Sequence, residues 1–263
     1  MAKSTRVDAI NKAKDELMEE FGRYLKINFN NMVQPKKSPP TLSDRLSAVV
    51  SVKLVFLLLP EEEKSKQIND FIDRIEDSEK RDKMRSLMSA NRDDFKDFDF
   101  DNFSLAKYLE IDKAMASYIR DTIIAVLPTN AVGKDKLGGE TLDSFIQEFD
   151  QKLSPRFRRH FIIQKAFSIL ENNAVRSPEG QLRDVVGLLD INAGHFKEVE
   201  PENQATWKRI LGIIATVVSL GIIPAIHSKS TRQTWQFWKS DERLLKEQVE
   251  KTRQTYNGPK KGG

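Results

Sequence analysis

Apolar residues recur at intervals of three and four over most of the first 200 residues, which is the spacing of an amphipathic α-helix. The clearest example is the set Ile68, Phe71, Ile72 and Ile75. No stretch shows the alternation of apolar and polar residues that is typical of a half-buried strand. The pattern therefore predicts an all-α protein, an irregular helical bundle with a C-terminal apolar helix and a basic amphipathic tail.

Several polar residues mark where these helices begin and end. Thr41 and Asp44 have the spacing of a capping box before an apolar helix. A serine followed by a proline occurs at Ser154 and again at Ser177, which predicts an N-cap with proline in the first turn. The apolar positions of residues 105–126 predict one long helix.

One segment near the C-terminus, Ile210–Ile226, carries no charged residue. It spans 17 positions, whereas a helix that crosses a bilayer needs roughly 20 apolar residues. Indole rings and basic residues flank the segment on both sides, and both prefer the headgroup zone of a membrane. The sequence therefore predicts membrane association through a set of apolar and aromatic residues: Trp207, Ile210, Ile214, Val218, Ile222, Trp235, Phe237 and Trp238.

A second interpretation places the same segment in the centre of the bundle. A helix that is apolar on every side is buried either in protein or in lipid, and periodicity does not separate the two.

The predicted organisation is a helical body over 1–200, the apolar helix with its aromatic-basic flank over 201–239, and an amphipathic helix with a tail over 240–263. From Lys229 onward there are nine basic and four acidic residues, which favours contact with anionic lipid.

Composition narrows the function classes. The 263 residues include 43 basic and 39 acidic side chains, and a surplus of +4 does not indicate a nucleic-acid partner. The absence of cysteine excludes disulfides, thiolate nucleophiles and zinc-thiolate sites, and it fits a reducing compartment. The polar N-terminus, 1–14, does not have the pattern of a secretory signal peptide.

Candidate chemistry is sparse. Arg156, Arg159 and His160 form a basic cluster at a predicted helix start, which we call the basic trio. Guanidinium groups bind phosphate well, so the trio is a candidate phosphate site, with a solvated basic face as the alternative. No histidine lies in a metal-ligand spacing and no catalytic motif is present, so the sequence predicts no metal or cofactor and names no catalytic residue.

The segment Asp97–Asn102 alternates aspartate with phenylalanine. Its three aspartates have the spacing of the first three ligands of a calcium loop, but neither the glycine nor the bidentate glutamate of such a loop follows. We expect the phenylalanines of this region to anchor a loop to the bundle; the alternative is an acidic-aromatic docking patch. They are Phe95, Phe98, Phe100 and Phe103.

The apolar run Ile210–Ile226, the His227-Ser-Lys that follows it and the run Trp235-Gln-Phe-Trp-Lys together resemble a C-terminal region of certain bacterial effectors. Intracellular bacteria deliver these virulence proteins into host cells through type IV (Dot/Icm-type) secretion. The resemblance covers about the last fifth of the chain. It implies delivery into a host cell, at a host membrane; without it, we expect a cytoplasmic protein.

These observations predict a non-enzymatic, effector-like helical protein that binds a host or bacterial protein and associates with membrane. The alternative is an all-α enzyme or phosphate-ligand-binding protein that buries the apolar segment in its core. The two differ in where Ile210 and its neighbours lie.

Overall fold

A computed structural model describes residues 2–34, 39–59, 61–89, 92–126, 142–172 and 176–219. Within these ranges the chain forms ten α-helices and two short 3₁₀ turns, and it forms no strand, which confirms the predicted all-α class. The helices are α1 (Ala2–Val33), α2 (Leu42–Leu58), α3 (Glu61–Ile72), α4 (Ser78–Met88), α5 (Leu105–Ile111), α6 (Lys113–Val126), α7 (Leu142–Lys152), α8 (Ser154–Glu171), α9 (Pro178–Ile191) and α10 (Pro201–Ser219).

Side-chain caps fix several of the helix starts. The Thr41 hydroxyl accepts the backbone N–H of Asp44, and the Asp44 carboxylate accepts the backbone N–H of Thr41, so the predicted capping box is confirmed. Ser177 caps α9 by accepting the N–H of Gly180, with proline in the first turn. Each cap satisfies backbone donors that the first helical turn leaves without an intrahelical partner.

Two predicted boundaries are wrong. Residues 105–126 form α5 and α6 instead of one helix, because the Asp112 carboxylate accepts the N–H of Met115 and starts a new helix there. Ser154 is the first residue of α8 and not its N-cap, since its hydroxyl donates to Asp150 one turn earlier, in α7. In both places the apolar period continues through the boundary, so the pattern alone does not show it.

The chain divides into two compact units. The first unit contains Met1–Tyr24 and Lys165–Gly263, and the second contains Leu25–Gln164. The predicted boundary near residue 200 therefore falls inside the first unit, which includes both α9 and α10.

In the second unit α2 is the central helix. Every residue from Val50 to Leu58 is buried, which is the pattern of a helix surrounded by protein on all sides. Most of these side chains pack into two apolar clusters with residues of α3 to α8. The same buried stretch contains one charged side chain, Lys53.

In the first unit the N-terminal part of α1 contacts both α9 and α10. Lys14 Nζ donates to Gln181 Oε1 at 2.8 Å, and Arg209 Nη1 lies 3.2 Å from Glu20 Oε1. The amide of Gln181 also donates to backbone carbonyls at the C-terminal end of α8, including Leu170 O at 3.3 Å. The Phe196 and Trp207 rings stack with centroids 4.3 Å apart. Polar contacts thus join α1, α8, α9 and α10 beside an apolar interior.

Candidate functional site

A groove runs between α5, α6 and α7 in the second unit, and we call it the α5–α7 groove. It encloses about 250 Å³. Its lining is mainly apolar and includes Leu109 from α5, Ala116 from α6, and Leu142 with Ile146 from α7. Leu142 and Ile146 are one turn apart and therefore share a face of α7. The groove exists because three helices converge there without a fourth helix filling the space between them among the described residues.

Charged side chains stand at the rim of the α5–α7 groove. Lys113 and Arg120 line it from α6 and Glu110 lines it from α5, and all three are exposed. Lys113 and Arg120 are two turns apart on one face, about 10 Å along the helix axis. Ile124, one turn beyond Arg120 on that face, is 55% exposed. The groove thus has an apolar floor, a basic edge and an exposed apolar residue in line with it.

A second site is the buried ion pair between Lys53 of α2 and Asp112. Lys53 Nζ lies 2.5 Å from Asp112 Oδ2, and the two side chains are 1% and 4% exposed. The Tyr108 hydroxyl donates to the same oxygen at 2.6 Å, and the N–H of Met115 donates to Oδ1 at 3.0 Å. The carboxylate therefore has three donors, and its position at the start of α6 favours negative charge there.

The electrostatics of this centre follow from its burial. Burial lowers the pKa of Lys53, because the ammonium form loses hydration; the hydrogen bond and charge of Asp112 act in the opposite direction. Burial also raises the pKa of Tyr108 well above its ordinary value, and the neighbouring Asp112 charge adds to that effect. Tyr108 is therefore a neutral hydrogen-bond donor, while the amine of Lys53 is easier to deprotonate than an ordinary lysine.

The ion pair borders a cavity of about 300 Å³, which we call the Lys53 cavity. Lys53 and Asp112 form part of its wall. The rest of the wall includes two hydroxyls and further charged and apolar side chains, namely Ser86, Leu87, Ser89, Asp94, Phe95, Ile111, Lys113 and Ala114. The wall therefore combines hydrogen-bonding groups with apolar surface, as small-molecule sites do.

The basic trio lies in the first two turns of α8, and all three side chains are buried. The alternative of a solvated basic face is therefore wrong for Arg156, Arg159 and His160. Burial lowers the pKa of His160 to about 4. Nearby, Arg158 is half-buried and donates from Nε and Nη2 to the carbonyl of Phe103 at 2.9 and 2.7 Å. Phosphate binding by the trio stays a prediction.

The eight residues that the sequence predicts to associate with membrane fall into three groups. Trp207, Ile210 and Ile214 are buried in the first unit and present no surface to lipid in this fold, and their role at a membrane stays a prediction. Val218, near the end of α10, is 40% exposed. The other members, Ile222, Trp235, Phe237 and Trp238, lie outside the described residues. No helix in the described part of the chain is both long enough and apolar enough to cross a membrane.

The acidic-aromatic segment behaves as an anchored loop, as predicted. Phe95, Phe100 and Phe103 are buried and Phe98 is half-buried. The Phe98 ring contacts Phe103 and Phe100 edge-on, at centroid distances of 5.9 and 4.8 Å. The Asp99 carboxylate accepts the N–H groups of Asp101 and Asn102, so it is occupied in closing the turn. The described ranges contain no group of three or more metal-ligating side chains.

Sequence reasoning missed the Lys53 centre. The signal was present, since Lys53 is the only charged residue between Leu46 and Leu59. A lone charge inside a fully apolar helix requires a buried partner. Its partner Asp112 is 59 positions away, and no spacing rule connects them. The α5–α7 groove was missed because a groove depends on how three helices pack.

No family model matches this chain, and no curated protein or solved structure matches it either.

Proposed function

We propose that the protein binds an amphipathic helix of a partner protein in the α5–α7 groove. The observation that carries this proposal is the combination of an apolar floor with two exposed basic side chains on one edge, at Lys113 and Arg120. Helix-in-groove recognition uses this arrangement, in which apolar anchors enter the groove and charges at the rim fix the orientation.

The size of the groove supports a peptide anchor over a small-molecule ligand. At about 250 Å³ it lies below the range of about 300 to 1,000 Å³ that is usual for small-molecule sites. A partner side chain needs less room, because the rest of the partner lies along the surface. The exposed Ile124 extends the apolar surface beyond the groove by one turn.

The charges at the rim select the partner's chemistry. Two basic side chains face one acidic side chain, Glu110, so the edge formed by α6 is positive. An acidic helix with carboxylates two turns apart places them opposite Lys113 and Arg120, at the spacing of about 10 Å that these two residues have on α6. Such pairs at an exposed rim act mainly on association rate and orientation.

The test is binding of a designed helical peptide, measured by fluorescence anisotropy at low salt. The peptide carries a leucine stripe and glutamates two turns apart; a second peptide carries lysines in place of the glutamates. We expect the acidic peptide to bind more tightly to the intact chain by about tenfold, the effect of about 1.4 kcal/mol. Arg120→Glu should reverse the preference, and Arg74→Glu, an equal charge change at an exposed position after α3, should not.

A steric pair of variants separates the groove from non-specific attraction. Ser117 is exposed and lines the groove, so Ser117→Trp should block both peptides. Ser65 is an exposed helical serine on α3, and Ser65→Trp should leave binding unchanged. Equal binding to the wild type and to Ser117→Trp, or no preference for the acidic peptide, contradicts the proposal.

A further inference from the structure

Lys53 occupies a costly position for a charged side chain. It lies in the buried stretch of α2 and is 1% exposed. An ammonium group loses its hydration there, and an ion pair with good geometry offsets that loss only in part. An apolar residue of similar size would serve the packing of α2 at lower cost, so the charge requires a reason beyond packing.

The surroundings hold the ion pair in one geometry. Asp112 is fixed by its bond to the N–H of Met115, which belongs to the first turn of α6. The Tyr108 hydroxyl donates to the same carboxylate from α5. Lys53 therefore meets a carboxylate whose orientation two other groups determine, and a preorganised arrangement of this kind is what a reactive amine needs.

The Lys53 cavity lies against the ion pair. Lys53 and Asp112 line it together, and the Lys53 side chain itself is 1% exposed. Its volume of about 300 Å³ is at the lower end of the range for small-molecule sites, so it admits a ligand of few atoms. Ser86, Ser89 and Asp94 supply hydrogen-bonding groups around that space.

We propose that the Lys53 cavity binds a small aldehyde or ketone and that the Lys53 amine condenses with its carbonyl group to form an imine. The Lys53 ammonium first gives a proton to Asp112. The Nζ lone pair then attacks the carbonyl carbon, and one of the two Nζ protons passes to the carbonyl oxygen to give a neutral carbinolamine. Protonated Asp112 gives its proton to the hydroxyl, which leaves as water, and Asp112 then takes the last Nζ proton, so that a neutral C=N bond forms without an oxidant or reductant.

The electrostatics favour the same chemistry. The lowered pKa of Lys53 increases the fraction of neutral amine near pH 7, and the neutral form is the nucleophile. Burial is the largest cause of the shift and the Asp112 interaction opposes it, so the amine keeps a proton acceptor within 2.5 Å. Lys64, which is also buried, contributes a like charge that lowers the pKa further.

The experiment is imine trapping on the full chain. The folded protein is incubated with acetaldehyde and cyanoborohydride near pH 7, and the alkylated lysines are identified by peptide mass spectrometry. We expect Lys53 to be labelled several-fold faster than the exposed Lys66, because a lowered pKa increases the fraction of neutral amine. In the urea-unfolded chain this advantage should disappear.

Variants connect the labelling to the cavity. Ser86 is exposed and lines the cavity, so Ser86→Trp should slow the labelling of Lys53, whereas Ser65→Trp on α3 should not. Lys66→Arg should leave the labelling of Lys53 unchanged. Labelling of Lys53 no faster than that of Lys66 in the folded wild type overturns the proposal and leaves the ion pair a purely structural element.

Discussion

His160 shows how a single buried side chain links stability to pH. It is 2% exposed, and burial lowers its pKa from 6.5 to about 4. The unfolded chain therefore takes up the proton first as the pH falls. The contribution of neutral His160 to the free energy of unfolding is fully present above about pH 6.5 and is lost as the pH falls toward 4. We expect the wild type to lose about 3 kcal/mol more than His160→Gln between pH 7 and pH 4, measured by urea unfolding.

The control for this prediction is a histidine that is less buried. His195 is half-buried in the 3₁₀ turn after α9. His195→Gln should therefore retain most of the wild-type loss at low pH. If His160→Gln and the wild type show the same pH profile, the His160 imidazole is hydrated in the native state.

At the same scale, some residue roles were predictable and others were not. Thr41, Asp44 and Ser177 were correctly assigned because a cap depends on residues three positions apart, and that spacing is visible in the sequence. Lys53 was not assigned, because its partner Asp112 comes from a distant helix. Local hydrogen bonds can be read from sequence, whereas buried ion pairs depend on tertiary packing.

Among the elements, α10 gives the sharpest test of where the apolar segment lies. Ile214 and Val218 are one turn apart on this helix, yet they are 1% and 40% exposed. Ile214→Lys places an unpaired charge in the interior of the first unit. We expect it to lower the free energy of unfolding by about 3 to 5 kcal/mol in urea titrations followed by circular dichroism.

Val218→Lys is the matched control, because the same charge at the exposed position reaches water. It should change the free energy of unfolding by about 0.5 kcal/mol or less, the usual range for surface substitutions. Wild-type stability for Ile214→Lys would place this part of α10 outside the core and would favour its predicted role at a lipid surface.

The helices themselves were largely predictable, because apolar periodicity reports the buried face of each one. The break between α5 and α6 was not, because Asp112 interrupts the backbone hydrogen bonds while the apolar spacing continues from Tyr108 and Leu109 to Met115. A boundary between two helices that bury the same face leaves no mark in the pattern. The α5–α7 groove lies beside that boundary, and the pattern does not show it either, because a groove depends on how three helices pack.

At the scale of the whole molecule, the division into units follows long-range contacts. Residues 1–24 belong with residues 165–263, and no composition change along the chain indicates that pairing. Hydrogen bonds between the two segments, such as Lys14 with Gln181 and Arg209 with Glu20, join residues more than 160 positions apart in the sequence. Truncation at the predicted boundary near residue 200 therefore removes core residues of α10, such as Ile210 and Ile214, instead of detaching a separate tail.

Membrane association, which stays a proposal, is best tested with a chain that ends after Ser219. That truncation keeps the buried Ile210 and Ile214 and removes only residues outside the described ranges. The removed part contains Trp235, Phe237 and Trp238 and a surplus of basic residues. We expect the full chain to float with phosphatidylserine vesicles at low salt and the truncated chain to stay in solution, because basic residues contribute about 1 kcal/mol each at an anionic surface.

Two controls decide what the flotation means. Trp235→Ser with Trp238→Ser in the full chain should weaken flotation while the charge is unchanged, because indole rings anchor a chain at the headgroup level. Vesicles of phosphatidylcholine alone should recruit less protein, because they lack the negative surface potential. Equal flotation of the full and truncated chains would exclude the C-terminal 44 residues as the membrane element, while failure of both to float would reject membrane association.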